Sequence, residues 1–195
     1  MIQKKSLVMV FVIVAACAVS TPGQTTITLG LSGPGAVNDS TIKAGQPVSV
    51  DVYWESKDVD IRGFTTGFRV YSPTIKAIVH VADSGKGINP AGDLKAHGGW
   101  EGTNTWDFSG IRVIPTDWDG TLPDTIGFGG ARAKVAESAH PRKKVLSWTM
   151  LVPTTGQILV DSTFFRPSNI WAVALTAGKE VRPLWNGPYK FSVIE

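Results

Sequence analysis

Val48-Ser49-Val50-Asp51-Val52-Tyr53-Trp54-Glu55 alternates apolar and polar side chains without a break. Successive side chains of an extended chain point to opposite faces, so Val48, Val50, Val52 and Trp54 line one surface and Ser49, Asp51, Tyr53 and Glu55 the other. A strand with one dry face needs a second layer to cover it. The same period recurs at Ile27, Leu29 and Leu31, at Phe64, Phe68 and Val70, and at Ile75, Ala77, Val79 and Val81. Further on it returns at Ile126 and Phe128, at Leu146, Trp148, Met150 and Val152, at Ile158 and Val160, at Trp171, Val173 and Leu175, and at Tyr189, Phe191 and Val193. Turn signals separate these runs, among them Ala44-Gly45-Gln46-Pro47, Asp119-Gly120, Thr155-Gly156 and Asn186-Gly187-Pro188. Alternating runs closed by such turns predict an all-β fold, an antiparallel sandwich of about nine strands. A helical pattern is confined to Ala131–Ala139, with Pro141 to end it and no side-chain N-cap at Gly129-Gly130.

Residues 85–124 break the rhythm. They are rich in Gly, Asp, Asn and Trp, so the largest irregular excursion from the sandwich is expected there, and such loops carry binding more often than strands do. The stretch holds too few aliphatic residues for a core of its own, and no long-period repeat is visible. A single domain over residues 25–195 follows.

The chain opens Met1-Ile2-Gln3-Lys4-Lys5, runs through the apolar stretch Leu7 to Val14 and reaches Ala15-Ala16-Cys17, its only cysteine. Two lysines, an apolar run too short to span a bilayer and small residues behind it make an export signal. Val14-Ala15-Ala16-Cys17 resembles the bacterial lipobox, in which the cysteine becomes a lipidated first residue; an ordinary cut after Ser20 or Gly23 would instead remove Cys17 with the signal. Both readings make residues 1–24 a signal with a short tether and place the domain outside the cytoplasm, extracellular or at the outer envelope, with a lipid anchor in the first case. Roughly 175 residues remain, about one domain, and that length buries a core without disulfides. The formal charge of +3 includes Lys4 and Lys5, so the mature chain is nearer +1 (3 minus 2). That balance argues against nucleic acid, and Arg142-Lys143-Lys144 reads as the solvated start of a strand.

Gly45-Gln46-Pro47-Val48-Ser49-Val50-Asp51-Val52, then Ile61-Arg62-Gly63-Phe64, then Phe68-Arg69-Val70-Tyr71-Ser72-Pro73 resembles the opening strands of cohesin modules, with Ser72 where those have Asp. The match covers Ile42 to Ala82 and is shared by immunoglobulin-like exported sandwiches. The resemblance implies a jelly-roll related in architecture to carbohydrate-binding modules; cohesins themselves grip a calcium-loaded dockerin with one sandwich face.

Catalytic patterns are thin. Gly30-Leu31-Ser32-Gly33-Pro34 misses the last glycine of a nucleophile elbow and sits on a first strand. His80, His97 and His140 show no ligand spacing. His80, on the face opposite Val79 and Val81, reads as solvent-facing, and His97 falls in the irregular region. A glycosidase needs two suitably spaced carboxyls, and only Glu101, beside Trp100, suggests one. A non-enzyme is the expectation.

Asp117-Trp118-Asp119-Gly120 followed by Asp124 gathers oxygen ligands of the kind Ca²⁺ takes, although no glutamate closes an EF-hand; the alternative is a turn at Asp119-Gly120 with carboxylates capping backbone amides. Of the seven tryptophans, Trp54, Trp148 and Trp171 read as core. Trp100, Trp106 and Trp118 lie in polar, glycine-rich sequence, where an indole either stacks on a sugar, anchors a partner or folds back over the sandwich end. The expectation is an exported, non-catalytic binding or adhesion module whose partner is another envelope or extracellular protein. The alternatives are a polysaccharide held by those indoles and, further off, a secreted glycoside hydrolase. Protein docking of cohesin kind calls for a flat, mostly aliphatic sheet face.

Overall fold

The computed structural model describes residues 22–58, 61–81, 94–96, 108–113, 119–131, 140–163, 171–176 and 178–195, and every regular element among them is a strand. In chain order these are β1 (Pro22–Ser32), β2 (Ala36–Asn38), β3 (Thr41–Lys43), β4 (Pro47–Ser56), β5 (Ile61–Tyr71), β6 (Val79–His80) and β7 (Leu94–Ala96). They continue with β8 (Phe108–Val113), β9 (Asp124–Ala131), β10 (His140–Leu151), β11 (Gly156–Ser162), β12 (Ala172–Leu175), β13 (Glu180–Trp185) and β14 (Tyr189–Ile194). The 14 strands exceed the expected count because β2, β3, β6 and β7 have only two or three residues, too few to show a period. Strand β13 hides its alternation behind Pro183, a residue that normally argues against a strand.

In one layer β4 lies between β1 and β10, antiparallel to both, and the far edge of β10 takes β6 and β7. In the other, β5 has β9 along one side and, on the other, β12 against Ile61–Thr65 and β11 against Phe68–Tyr71. Strand β8 extends this layer beyond β9, and β14, β3 and β2 extend it beyond β11. Strand β13 pairs antiparallel with β12 and parallel with β1, so the hydrogen bonding passes from one layer to the other.

The core lies between the layers on the faces that the alternation designates. Val48, Val50, Val52 and Trp54 of β4 are fully buried, as are Phe68, Val70, Trp148, Met150, Ile158 and Val160. Rings join the two sides: Phe68 lies 5.8 Å from Trp148, and Trp54 meets Phe64 edge-on at 5.0 Å. Half-buried Trp171 continues the cluster, edge-on to Phe68 at 5.8 Å and to Trp185 at 5.3 Å. Burial of each such side chain contributes roughly 1.5–3 kcal/mol.

One expectation changes, that of His80, and two others fall largely outside the described residues. The stretch 85–124 supplies strands β7 and β8, and Thr121 bridges to Ala77. Ala131 ends strand β9, while residues 132–139 of the expected helix lie outside the described residues; Pro141 sits inside β10 at a register irregularity, where its missing N–H is tolerated. His80 faces inward, 6% exposed, while Val79 is 50% exposed and Ala77 is exposed as well. Between Ser72 and Ile78 the chain is not a continuous strand, so the phase carried from Ile75 is lost before Val79.

Candidate functional site

Strands β1, β4 and β10 turn their polar positions outward together. Register places Thr28 and Lys144 on either side of Tyr53, Gly30 and Ser147 on either side of Asp51, and Thr149 beside Ser49. The Ser49 and Thr149 hydroxyls share a 2.8 Å hydrogen bond. Gly30 has no side chain, and the Tyr53 ring lies across it: a Cβ there would stand 3.1 Å from Tyr53 Cε2. The Arg142 guanidinium stacks on the same ring 3.6 Å from its centroid, and its Nε donates to Thr28 Oγ1 at 3.3 Å. Lys144 Nζ donates to Asp51 Oδ1 at 3.3 Å and the Tyr53 hydroxyl to Oδ2 at 3.4 Å, so Asp51 is only 1% exposed although it points away from the core. Charge and ring positions on this face are thus fixed before any partner arrives, which lowers the entropy that binding must overcome. The arrangement offers a flat polar surface for contact.

The opposite outer face is built differently. Inward Phe64, Thr66, Phe68 and Val70 alternate on β5 with Gly63, Thr65, Gly67 and Arg69, which register opposite Ala131, Gly129, Gly127 and Thr125 of β9. Strand β8 sets Gly110 beside Gly129 and Arg112 beside Gly127. Glycine at so many outward positions allows close approach to the backbone; Gly67 and Gly127 are themselves buried. Among the described residues the exposed large apolar side chains, Val37, Val79, Leu184 and Ile194, lie on different strands.

Asp124, the first residue of β9, is fully buried. Its Oδ2 lies 2.9 Å from His80 Nε2 and accepts the Gly120 N–H at 3.2 Å, while Oδ1 accepts the Asp119 N–H at 3.3 Å. Asp119 Oδ1 accepts the Thr121 N–H at 2.7 Å. Gly120 holds φ +89°, with space for a Cβ closed by the Ile78 carbonyl at 2.5 Å. The two carboxylates organise a backbone turn, and no cluster of three metal-ligating side chains occurs among the described residues. Asp117, Trp100, Trp106, Trp118, Cys17, His97 and Glu101 lie outside the described residues. Of the three tryptophans read as core, Trp54 and Trp148 are fully buried and Trp171 half-buried. Sequence reasoning missed the stacked Arg142, Tyr53 and Thr28 set, whose only signal was an outward Tyr53 opposite a glycine; their approach depends on two strand registers.

No family model and no curated protein matches the chain. Solved structures do. A type I cohesin–dockerin complex from Clostridium thermocellum matches with a TM-score of 0.55 at 10% identity, covering 90% of this chain and 97% of that one. A type II cohesin domain from the cellulosome of Acetivibrio cellulolyticus gives 0.56 at 12% identity, over 86% and 95%. A non-cellulosomal cohesin from the archaeon Archaeoglobus fulgidus gives 0.50 at 14% identity, over 88% and 92%. The fold is a cohesin-like β-sandwich, and the likeness that the sequence displayed over Ile42 to Ala82 extends in three dimensions to most of the chain.

Proposed function

We propose that this chain is a non-catalytic protein-docking module of cohesin-like kind, exported and held at or beyond the cell envelope. The observation that carries the reading is the match over nearly the full length of a cohesin whose structure is a complex with a dockerin protein. The outer face of β1, β4 and β10 supports it: a polar surface with Arg142 stacked on Tyr53 and Asp51 paired with Lys144 suits contact with another protein.

The test is affinity capture from envelope extract with the mature domain, in Ca²⁺ and in a chelator, beside a glycan array. The reading expects a specific protein partner and no glycan signal of comparable strength. Binding of that purified partner should weaken at least tenfold in Arg142→Glu or Tyr53→Ala, a change of about 1.4 kcal/mol. Glycans retained with no protein captured would overturn docking. Loss of capture in Trp100→Ala, Trp106→Ala or Trp118→Ala, with the sheet-face variants unaffected, would move the contact to the 98–124 stretch.

A further inference from the structure

Strands β11 and β12 leave one side of β5 end to end, and between them falls a notch at Thr66-Gly67, where the Thr163 N–H donates to the Gly67 carbonyl at 2.9 Å. A pocket of ≈ 280 Å³ opens there, lined by Ser162, Thr163, Trp171, Arg182 and Pro183. Its volume lies near the small end of ligand pockets, roughly 300–1,000 Å³, and matches a single ring better than an extended chain.

The donors around it have no other partner among the described residues. Trp171 Nε1 is buried and makes no hydrogen bond among the described residues, whereas the neighbouring Trp185 Nε1 donates to Asp161 Oδ1 at 2.9 Å. Among the described residues Arg182, exposed on β13, forms no ion pair, and the Ser162 and Thr163 hydroxyls make no hydrogen bond. The Asp161 carboxylate next in sequence already accepts from the Ser162 N–H at 2.7 Å as well as from Trp185. The pocket thus presents one guanidinium, two hydroxyls and part of an aromatic ring.

We infer that this pocket binds a carboxylate-bearing sugar residue. The guanidinium pairs with the carboxylate, the hydroxyls bond ring oxygens, and the Trp171 ring and Pro183 carry the apolar sugar face. A partner's acidic side chain offers the carboxylate alone and leaves the remaining donors and the volume unfilled. The site is separate from the β1, β4 and β10 face, so the inference stands whether or not that face docks a protein.

The experiment is calorimetric titration of the mature domain with short oligomers of galacturonate and of glucuronate, against neutral galactose and glucose oligomers and an acidic peptide. Binding of at least one uronate oligomer is expected, weakened about tenfold in Arg182→Ala, consistent with loss of a charge-assisted pair. Trp171→Ala removes the ring that carries the sugar face and should weaken binding severalfold; circular dichroism on both variants checks that the fold is intact. Neutral oligomers binding as tightly, or an acidic peptide binding equally well, would overturn the assignment, as would no uronate binding or uronate affinity unchanged in Arg182→Ala.

Discussion

Replacing Asp124 with alanine should cost about 3–5 kcal/mol of stability, because its buried hydrogen-bond donors lose their acceptor. The carboxylate is fully buried and accepts from three donors: His80 Nε2 at 2.9 Å, the Gly120 N–H at 3.2 Å and the Asp119 N–H at 3.3 Å. Asp119 is exposed, and water replaces that bond at little cost. Gly120 and His80 are buried, and each buried donor that loses its acceptor costs about 1–3 kcal/mol, so the two together agree with the first figure. At roughly 2–4 °C per kcal/mol for a domain of this size, the midpoint of thermal unfolding should fall by about 6–20 °C. Urea unfolding followed by tryptophan fluorescence, with the slope unchanged and the midpoint lowered, measures the loss directly. The double variant His80→Leu with Asp124→Leu should lose less than the sum of the two single changes, because it removes donor and acceptor together. A loss below about 1 kcal/mol in Asp124→Ala would refute the argument, since a buried pair that tightens a turn could not then be what holds it.

Other outcomes are equally specific. Gly120→Ala should cost at least about 2 kcal/mol in the same urea assay, because the residue sits at φ +89° and its Cβ would lie 2.5 Å from the Ile78 carbonyl. Trp148→Ala empties the space against Phe68 and should cost about 3–5 kcal/mol, read in the same way. Arg142→Ala should leave the urea midpoint almost unchanged, since exposed stacked cations contribute little to folding, while lowering affinity for a captured partner by about tenfold, measured by calorimetry.

The layers were readable from residues because a two-residue period has only two phases, and β4 fixes its own: Val48, Val50, Val52 and Trp54 could face nowhere but inward. The runs at Ile158 and Val160 and at Phe191 and Val193 were readable for the same reason. His80 was not, because the phase was carried from Ile75 across residues that form no continuous strand, and a histidine hydrogen-bonded to buried Asp124 faces inward for a reason that hydropathy ignores. Asp119 and Asp124 were recognised as a cluster around a glycine turn, yet the sequence could not say whether their oxygens serve an ion or the backbone. The Arg142 stack and the pocket beside Trp171 were out of reach, since each assembles strands that are far apart in sequence: Tyr53 with Arg142, and Ser162 with Arg182.

The parallel pairing of β1 with β13, Pro22 opposite Arg182 and Ile27 opposite Trp185, has a temporal consequence. A chain that emerges from its amino end can zip β4 onto one flank of β1 early, but the other flank must wait until nearly everything else has been delivered. Through that interval the first strand presents unsatisfied amides and carbonyls to whatever is nearby, the condition under which neighbouring chains stick to one another. Completion of the sandwich is therefore a race between the arrival of β13 and an encounter with a stranger, and the non-local closure makes the slower runner the native one.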